Sequence, residues 1–133
     1  MILTVYIDGA ARGNPGPAGI GIVIKKGEGT IKEIADYIGE ATNNVAEYTA
    51  FVCGLERVIH LKATEVHFYS DSELLVKQIK GEYQVKNAGL KPFYLRATSL
   101  IKKLKKFSIS HIPREKNLEA DMLANCGIDE QTP

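Results

Sequence analysis

Hydrophobic and polar positions begin to alternate at the first residues of the chain. Ile2-Leu3-Thr4-Val5-Tyr6-Ile7 closes on Asp8 and is apolar enough to predict a largely buried central strand over residues 2–8. Residues 19–26 (Gly-Ile-Gly-Ile-Val-Ile-Lys-Lys) predict a second strand, and the Gly27-Glu28-Gly29 turn joins it to a third over about 30–38. The period then changes. Val45, Tyr48, Val52, Leu55 and Ile59 recur at spacings of three and four, which is one face of an amphipathic helix. Residues 65–70 return to strand, and Leu74, Leu75, Gln78 and Ile79 suggest a short helix after it. Gly81 to Lys91, followed by Pro92, reads as a connection, and Leu95 to Leu104 as helix. Phe107 to Ile112 alternates as a last strand, stopped by Pro113. A final helix runs from Leu118 to Asn125, with Gly127 placed to end it.

The order β-β-β-α-β-α-α-β-α predicts an α/β fold: a mixed sheet with helices on both faces. At 133 residues the chain is expected to form one domain, residues 1–128, with 129–133 frayed. No apolar run approaches a membrane span, and no basic segment precedes a signal-type apolar stretch, which points to the cytoplasm. Cys53 and Cys126 have no metal-ligand spacing and read as reduced, buried thiols.

Charge adds more by its distribution than by its sum. The net charge is +1, but Lys77 to Lys106 holds nine basic residues against one acid, Glu82, with Tyr83, Phe93 and Tyr94 among them. That stretch fits a polyanion such as nucleic acid, although Lys102, Lys103, Lys105 and Lys106 alone read as a solvated face.

Four acids stand out. Asp8 opens the turn Gly9-Ala10-Ala11-Arg12-Gly13-Asn14-Pro15-Gly16. Glu47 follows Thr42-Asn43-Asn44-Val45-Ala46. Asp71 lies between Ser70 and Ser72, and Asp121 sits in Asn117-Leu118-Glu119-Ala120-Asp121. Each has an ordinary alternative. Asp8 could cap its own turn, Asn44 and Glu47 could form a capping box, Asp71 could be the N-cap of the next helix, and Asp121 could be an exposed helical aspartate. If they converge, four carboxylates share one pocket. Like charges that close are tolerable only around protons or cations, and oxygen ligands of this kind suit Mg²⁺ or Mn²⁺.

The four blocks, in this order across residues 8 to 124, resemble ribonuclease H of type 1. The resemblance implies a five-stranded sheet in the order 3-2-1-4-5. It implies an endonuclease that cuts the RNA strand of RNA–DNA hybrids, leaving 5′-phosphate and 3′-hydroxyl ends. Asp8, Glu47, Asp71 and Asp121 would be catalytic and would hold two Mg²⁺ ions, with Mn²⁺ as substitute. It also implies substrate contacts from Gly9, Arg12, Gly13 and Asn14 near the 2′-hydroxyls, from Asn43 and Asn44 in the groove, from Thr42 on a DNA phosphate, and from Ser72. A monomer with no membrane association is expected. The basic insertion of longer bacterial members is missing; residues 81–91 take its place, and Lys86 and Lys91 are candidates to supply the grip. Glu73 stands where many members carry Gln. His111 lies ten residues before Asp121, the family's spacing for a histidine that assists turnover, but alternation puts it inside the last strand. A non-catalytic hybrid-binding module and a related metal nuclease such as a DNA resolvase are the other function classes.

Overall fold

The computed structural model describes residues 1–131. Its elements are β1 (Ile2–Ala11), β2 (Gly16–Lys26), β3 (Gly29–Ala41), α1 (Asn43–His60), β4 (Glu65–Ser70), α2 (Glu73–Ile79), α3 (Lys91–Ile101), β5 (Lys106–His111) and α4 (Leu118–Asp129), with a 3-10 turn at Arg114–Lys116. The sheet order is β3-β2-β1-β4-β5. β1 pairs antiparallel with β2 and parallel with β4, and β4 pairs parallel with β5. This is the mixed sheet that the order of elements predicts, with the strand order 3-2-1-4-5 that the resemblance implies.

One sheet face is the main core. Leu3, Val5 and Ile7 of β1, Ile20, Ile22 and Ile24 of β2, and Val66 and Phe68 of β4 are sealed with Tyr48, Phe51 and Leu55 of α1. Phe51 meets Phe68 edge-on at 5.0 Å between ring centroids. Tyr48 keeps its hydroxyl satisfied by donating to Gln78 Oε1 at 2.6 Å. On the other face α4 crosses β2, where Gly19 and Gly21 lie against its backbone. No helix among the described residues is long and apolar enough to cross a membrane.

Several boundaries differ from the sequence reading. β1 does not stop at Asp8. Asp8, Gly9, Ala10 and Ala11 continue the ladder against Gly21, Ile20, Gly19 and Ala18, so pairing overrides the weak strand preference of Gly and Ala. The turn shrinks to residues 12–15, and β2 starts at Gly16 rather than Gly19. The N-cap of α1 is Thr42, whose hydroxyl accepts from Val45 N, not Asn44; no Asn44–Glu47 capping box forms. The N-cap of α2 is Ser72, accepting from Leu75 N, which leaves Asp71 free of that task. α3 starts at Lys91 with Pro92 in its first turn, where a missing N–H does no harm, and ends at Ile101. β5 is shifted by one residue, to Lys106–His111. Gly127 does not end α4. It lies inside the helix, at a point where a Cβ would fall 2.5 Å from the carbonyl oxygen of Asp36 on β3. Asp129, the first residue of the tail expected to fray, closes α4 and is ion-paired with Arg12. The last two residues of that tail, Thr132 and Pro133, lie outside the described residues.

Candidate metal centre

Two glycines, one on each face of the sheet, bring helices onto the backbone around Asp8. At Gly9 a Cβ would fall 2.2 Å from the carbonyl carbon of Ala46, so the first turn of α1 lies flush on β1. That contact places Glu47 beside Asp8. Gly21, the cross-strand partner of Asp8, lies so close to α4 that a Cβ would fall 2.0 Å from the Ala120 carbonyl oxygen. That contact carries Asp121 to the same place. Asp71 follows the end of β4, which runs parallel to β1.

The outcome is a cavity of about 280 Å³ lined by Asp8, Gly9, Ala10, Asn43, Glu47, Asp71, Arg114 and Asp121. Asp8, Glu47 and Asp71 each offer an oxygen within 4.8 Å of the others. Asp8 and Glu47 are both only 4% exposed. Asp121 stands at the rim, in side-chain contact with Asp8 and 3.7 Å from the Arg114 guanidinium.

Such crowding changes the proton affinities. Asp8 is pushed from 3.8 to about 8, by burial first, then by the charge of Asp71 and by Asp121. Glu47 is pushed well above its usual range by burial, then by the charges of Asp8 and Asp71. Glu47 Oε2 is buried and has no hydrogen-bond partner. A purely structural acid would have its buried oxygen satisfied. An all-oxygen donor set with an unpartnered buried carboxylate oxygen fits a hard divalent cation, which would replace the protons.

The other predicted site residues divide into two groups. Gly9 and Asn43 line the cavity. Asn14 stands next to it, its Oδ1 accepting from Asn43 N at 3.1 Å, while Gly13 takes φ 123° in the same loop. Asn44 is exposed one residue on. The hydroxyls of Thr42 and Ser72 are engaged as helix caps. Arg12 turns towards α4, pairing with Asp129 and donating to Asn125 Oδ1 at 3.3 Å. Lys86 is exposed, and Lys91 lines a separate hollow with Tyr83 and Tyr94. Glu73 is no part of the cavity. It pairs with Lys77 at 2.8 Å, and that lysine lowers its proton affinity.

The basic stretch divides as well. Lys106 pairs in register with Glu65 at the start of β4, whereas Asp71 follows the end of that strand. Six residues of strand separate them, about 20 Å. Lys102 to Lys106 therefore lie at the opposite end of the sheet from the acids.

Two residues here escape a reading of motifs. His111 ends β5, exposed and outside the cavity, while Arg114, three residues on, lines it. A cation in the post-β5 loop was the available signal; which cation reaches the acids depends on the path of the loop. Asn117 is 2% exposed and donates from Nδ2 to Asp71 Oδ2 at 3.3 Å. Its place one turn before Asp121 is visible in sequence, but its contact with Asp71 is not.

Comparison with known proteins points the same way as the geometry. A family model described as reverse transcriptase-like matches residues 6–127. A bifunctional protein of Mycobacterium tuberculosis is 39% identical over 97% of the chain and 36% of its own length. The ribonuclease HI of Halobacterium salinarum is 41% identical over 94% of the chain and 63% of its own length. The chain thus spans about a third of the mycobacterial relative and under two thirds of the halobacterial one. Among solved structures, LC11-RNase H1 in complex with an RNA/DNA hybrid superposes with a TM-score of 0.93 at 43% identity, covering 98% of this chain and 99% of that one.

Proposed function

This chain belongs to the ribonuclease H family, within its reverse transcriptase-like group, and from that premise we propose that it hydrolyses the RNA strand of RNA–DNA hybrids. The observation that carries the reading is the group of Asp8, Glu47 and the half-buried Asp71, three carboxylate oxygens within 4.8 Å at the edge of an open cavity. A binder of polyanions gains nothing from clustered negative charge; a phosphodiesterase that recruits cations needs it.

Asp8, Glu47, Asp71 and Asp121 are assigned as ligands, and Mg²⁺ or Mn²⁺ bound there would supply an activated water and stabilise the leaving oxygen of the phosphodiester. The chain's own residues do the rest. The loop of Gly13 and Asn14 exposes main chain next to the cavity that Gly9 lines, which lets a sugar with its 2′-hydroxyl approach closely. Asn43 and Asn44 open α1 at the same edge and can read a groove. Arg114 faces the cavity from an exposed position and can leave Asp121 for a phosphate. Lys86 and Lys91 extend the phosphate contact away from the acids. The catalytic unit is the one domain that ends with α4, acting as a monomer on a hybrid substrate in the cytoplasm, with 5′-phosphate and 3′-hydroxyl products.

The test is cleavage of end-labelled RNA–DNA hybrid, duplex RNA and duplex DNA, each with Mg²⁺, with Mn²⁺ and with EDTA. Cleavage confined to the RNA strand of the hybrid, and abolished by EDTA, is expected. Cleavage of branched DNA would assign a resolvase, and tight hybrid binding without cleavage in either metal would assign a binding module.

A further inference from the structure

We propose that Asn117 is a positioning residue of the carboxylate centre, its side-chain amide tying Asp71 to the β1 backbone beside Asp8. The proposal rests on reading that centre as a divalent-cation site.

Asn117 touches three of the four elements that deliver the acids. Its Nδ2 donates at 2.9 Å to the carbonyl of Ile7, the residue before Asp8, and at 3.3 Å to Asp71 Oδ2. Its own backbone carbonyl accepts from Asp121 N at 3.1 Å. The partners of the side chain are both acceptors, so the amide nitrogen must face them and the orientation of the group is fixed.

That orientation comes at the expense of the group's ordinary uses. Asn117 is the N-cap of α4, a position where Asn normally accepts from the first turn of its helix, yet its side chain makes no capping hydrogen bond. Its Oδ1 is buried with no partner, although the residue is 2% exposed. A residue selected only to start a helix would turn that oxygen to the free N–H groups. Here both capping and oxygen satisfaction give way to holding a carboxylate and a peptide group together. With Oδ2 tethered, Asp71 loses rotational freedom, which holds its carboxylate in the group with Asp8 and Glu47. Ligating carboxylates held by outer hydrogen bonds lose metal affinity when the outer partner is removed.

Two metal-binding measurements on the intact chain without hybrid, and the kinetics of one variant with it, test this. In the wild-type protein the Asn117 side-chain NH₂ resonances should exchange slowly and shift during a Mg²⁺ titration, following one binding isotherm; resonances unmoved at saturation overturn the proposal. In Asn117→Ala, free Mn²⁺ counted by electron paramagnetic resonance should show about 10- to 100-fold weaker binding. Hybrid KM should stay unchanged, and a lowered kcat should recover in part at high Mn²⁺. A lower melting temperature with unchanged Mn²⁺ affinity would make Asn117 merely structural. If Asn117→Ala does not fold, the wild-type titration decides. A wild-type chain that meets these expectations but leaves hybrid intact keeps the positioning role and removes the nuclease reading. A chain that cuts hybrid while Asn117→Ala binds Mn²⁺ like wild type removes the positioning role alone.

Discussion

Asp71→Asn should make the metal-free protein more stable at alkaline pH while abolishing cleavage. Asp71 presents an oxygen within 4.8 Å of the oxygens of Asp8 and Glu47. Two unit charges at that separation repel by about 3 kcal/mol at an effective dielectric constant of 20, and by about 1–2 kcal/mol once the open cavity admits water. The pH dependence fixes the sign. Asp8 is raised from 3.8 to about 8 in the fold, so the folded state binds its proton more tightly than the unfolded chain. The stability linked to that proton is fully present below about 4 and is lost as pH rises towards 8. Removing the charge of Asp71 lowers the proton affinity of Asp8, so less is lost. The gain from Asp71→Asn should therefore be close to nil at pH 5 and reach about 1–2 kcal/mol at pH 8.5. A constant offset from the altered bond to Asn117 adds equally at both. Urea unfolding in EDTA, followed by circular dichroism, reads both values. Mg²⁺ at 100 times its Kd should reverse the ranking by stabilising only the wild type, by about 2.7 kcal/mol. Equal differences between variant and wild type at pH 5 and pH 8.5 would show that Asp8 does not feel the charge of Asp71.

The same proton competition predicts that, at Mg²⁺ well below its Kd, the cleavage rate of the wild type rises with pH until about 8 and flattens beyond, whereas saturating Mg²⁺ moves the rise to lower pH. A rate flat from pH 6 to 8.5 at low Mg²⁺ would contradict the raised proton affinity of Asp8. Lys86→Ala with Lys91→Ala should flatten the plot of log affinity against log salt by about 1.8, taking 0.9 per phosphate contact, with turnover at saturating hybrid unchanged. Lys102→Ala with Lys103→Ala, at the far end of the sheet, should leave that slope alone. Glu73→Gln should leave hybrid KM unchanged and lower the melting temperature slightly, because Glu73 is spent on Lys77 and on the first turn of α2. A several-fold fall in KM would instead place Glu73 beside the substrate.

The four acids were legible because each sits in a short block of its own, and the order of the blocks was as informative as their content. The sheet was legible because alternation over Leu3, Val5 and Ile7 reports one buried face. The local setting of the acids was not. Asp8 looked like the end of a strand because Gly9, Ala10 and Ala11 have little preference for strand. They are strand because Ala18, Gly19 and Ile20 supply the ladder, and because α1 needs a residue without a side chain at Gly9. The sequence left the caps open for a related reason. Thr42, Asn44, Asp71 and Ser72 are all good caps in isolation, and the choice follows where each helix must start to reach the sheet. Once Thr42 and Ser72 take the caps, Glu47 and Asp71 are released from local hydrogen bonding. Their carboxylates are then left facing Asp8, with one Glu47 oxygen unsatisfied. What looked like competition between capping and chemistry is resolved by neighbouring residues dividing the two tasks.

The glycines complete that argument. Gly9 and Gly21 carry no chemistry of their own, yet a Cβ at either would collide with a helix backbone, at 2.2 Å and 2.0 Å. Widening either contact to the ordinary 3.4–4 Å that a methyl group needs would move Glu47 or Asp121 away from Asp8. Gly9→Ala and Gly21→Ala should therefore lose metal affinity from opposite faces of the sheet, Gly9→Ala through Glu47 and Gly21→Ala through Asp121. Mn²⁺ binding in each variant, measured alongside its melting temperature, checks this. Affinity retained in a folded Gly21→Ala would mean that Asp121 contributes little to holding the ion, in keeping with its place at the rim of the cavity rather than within the 4.8 Å group.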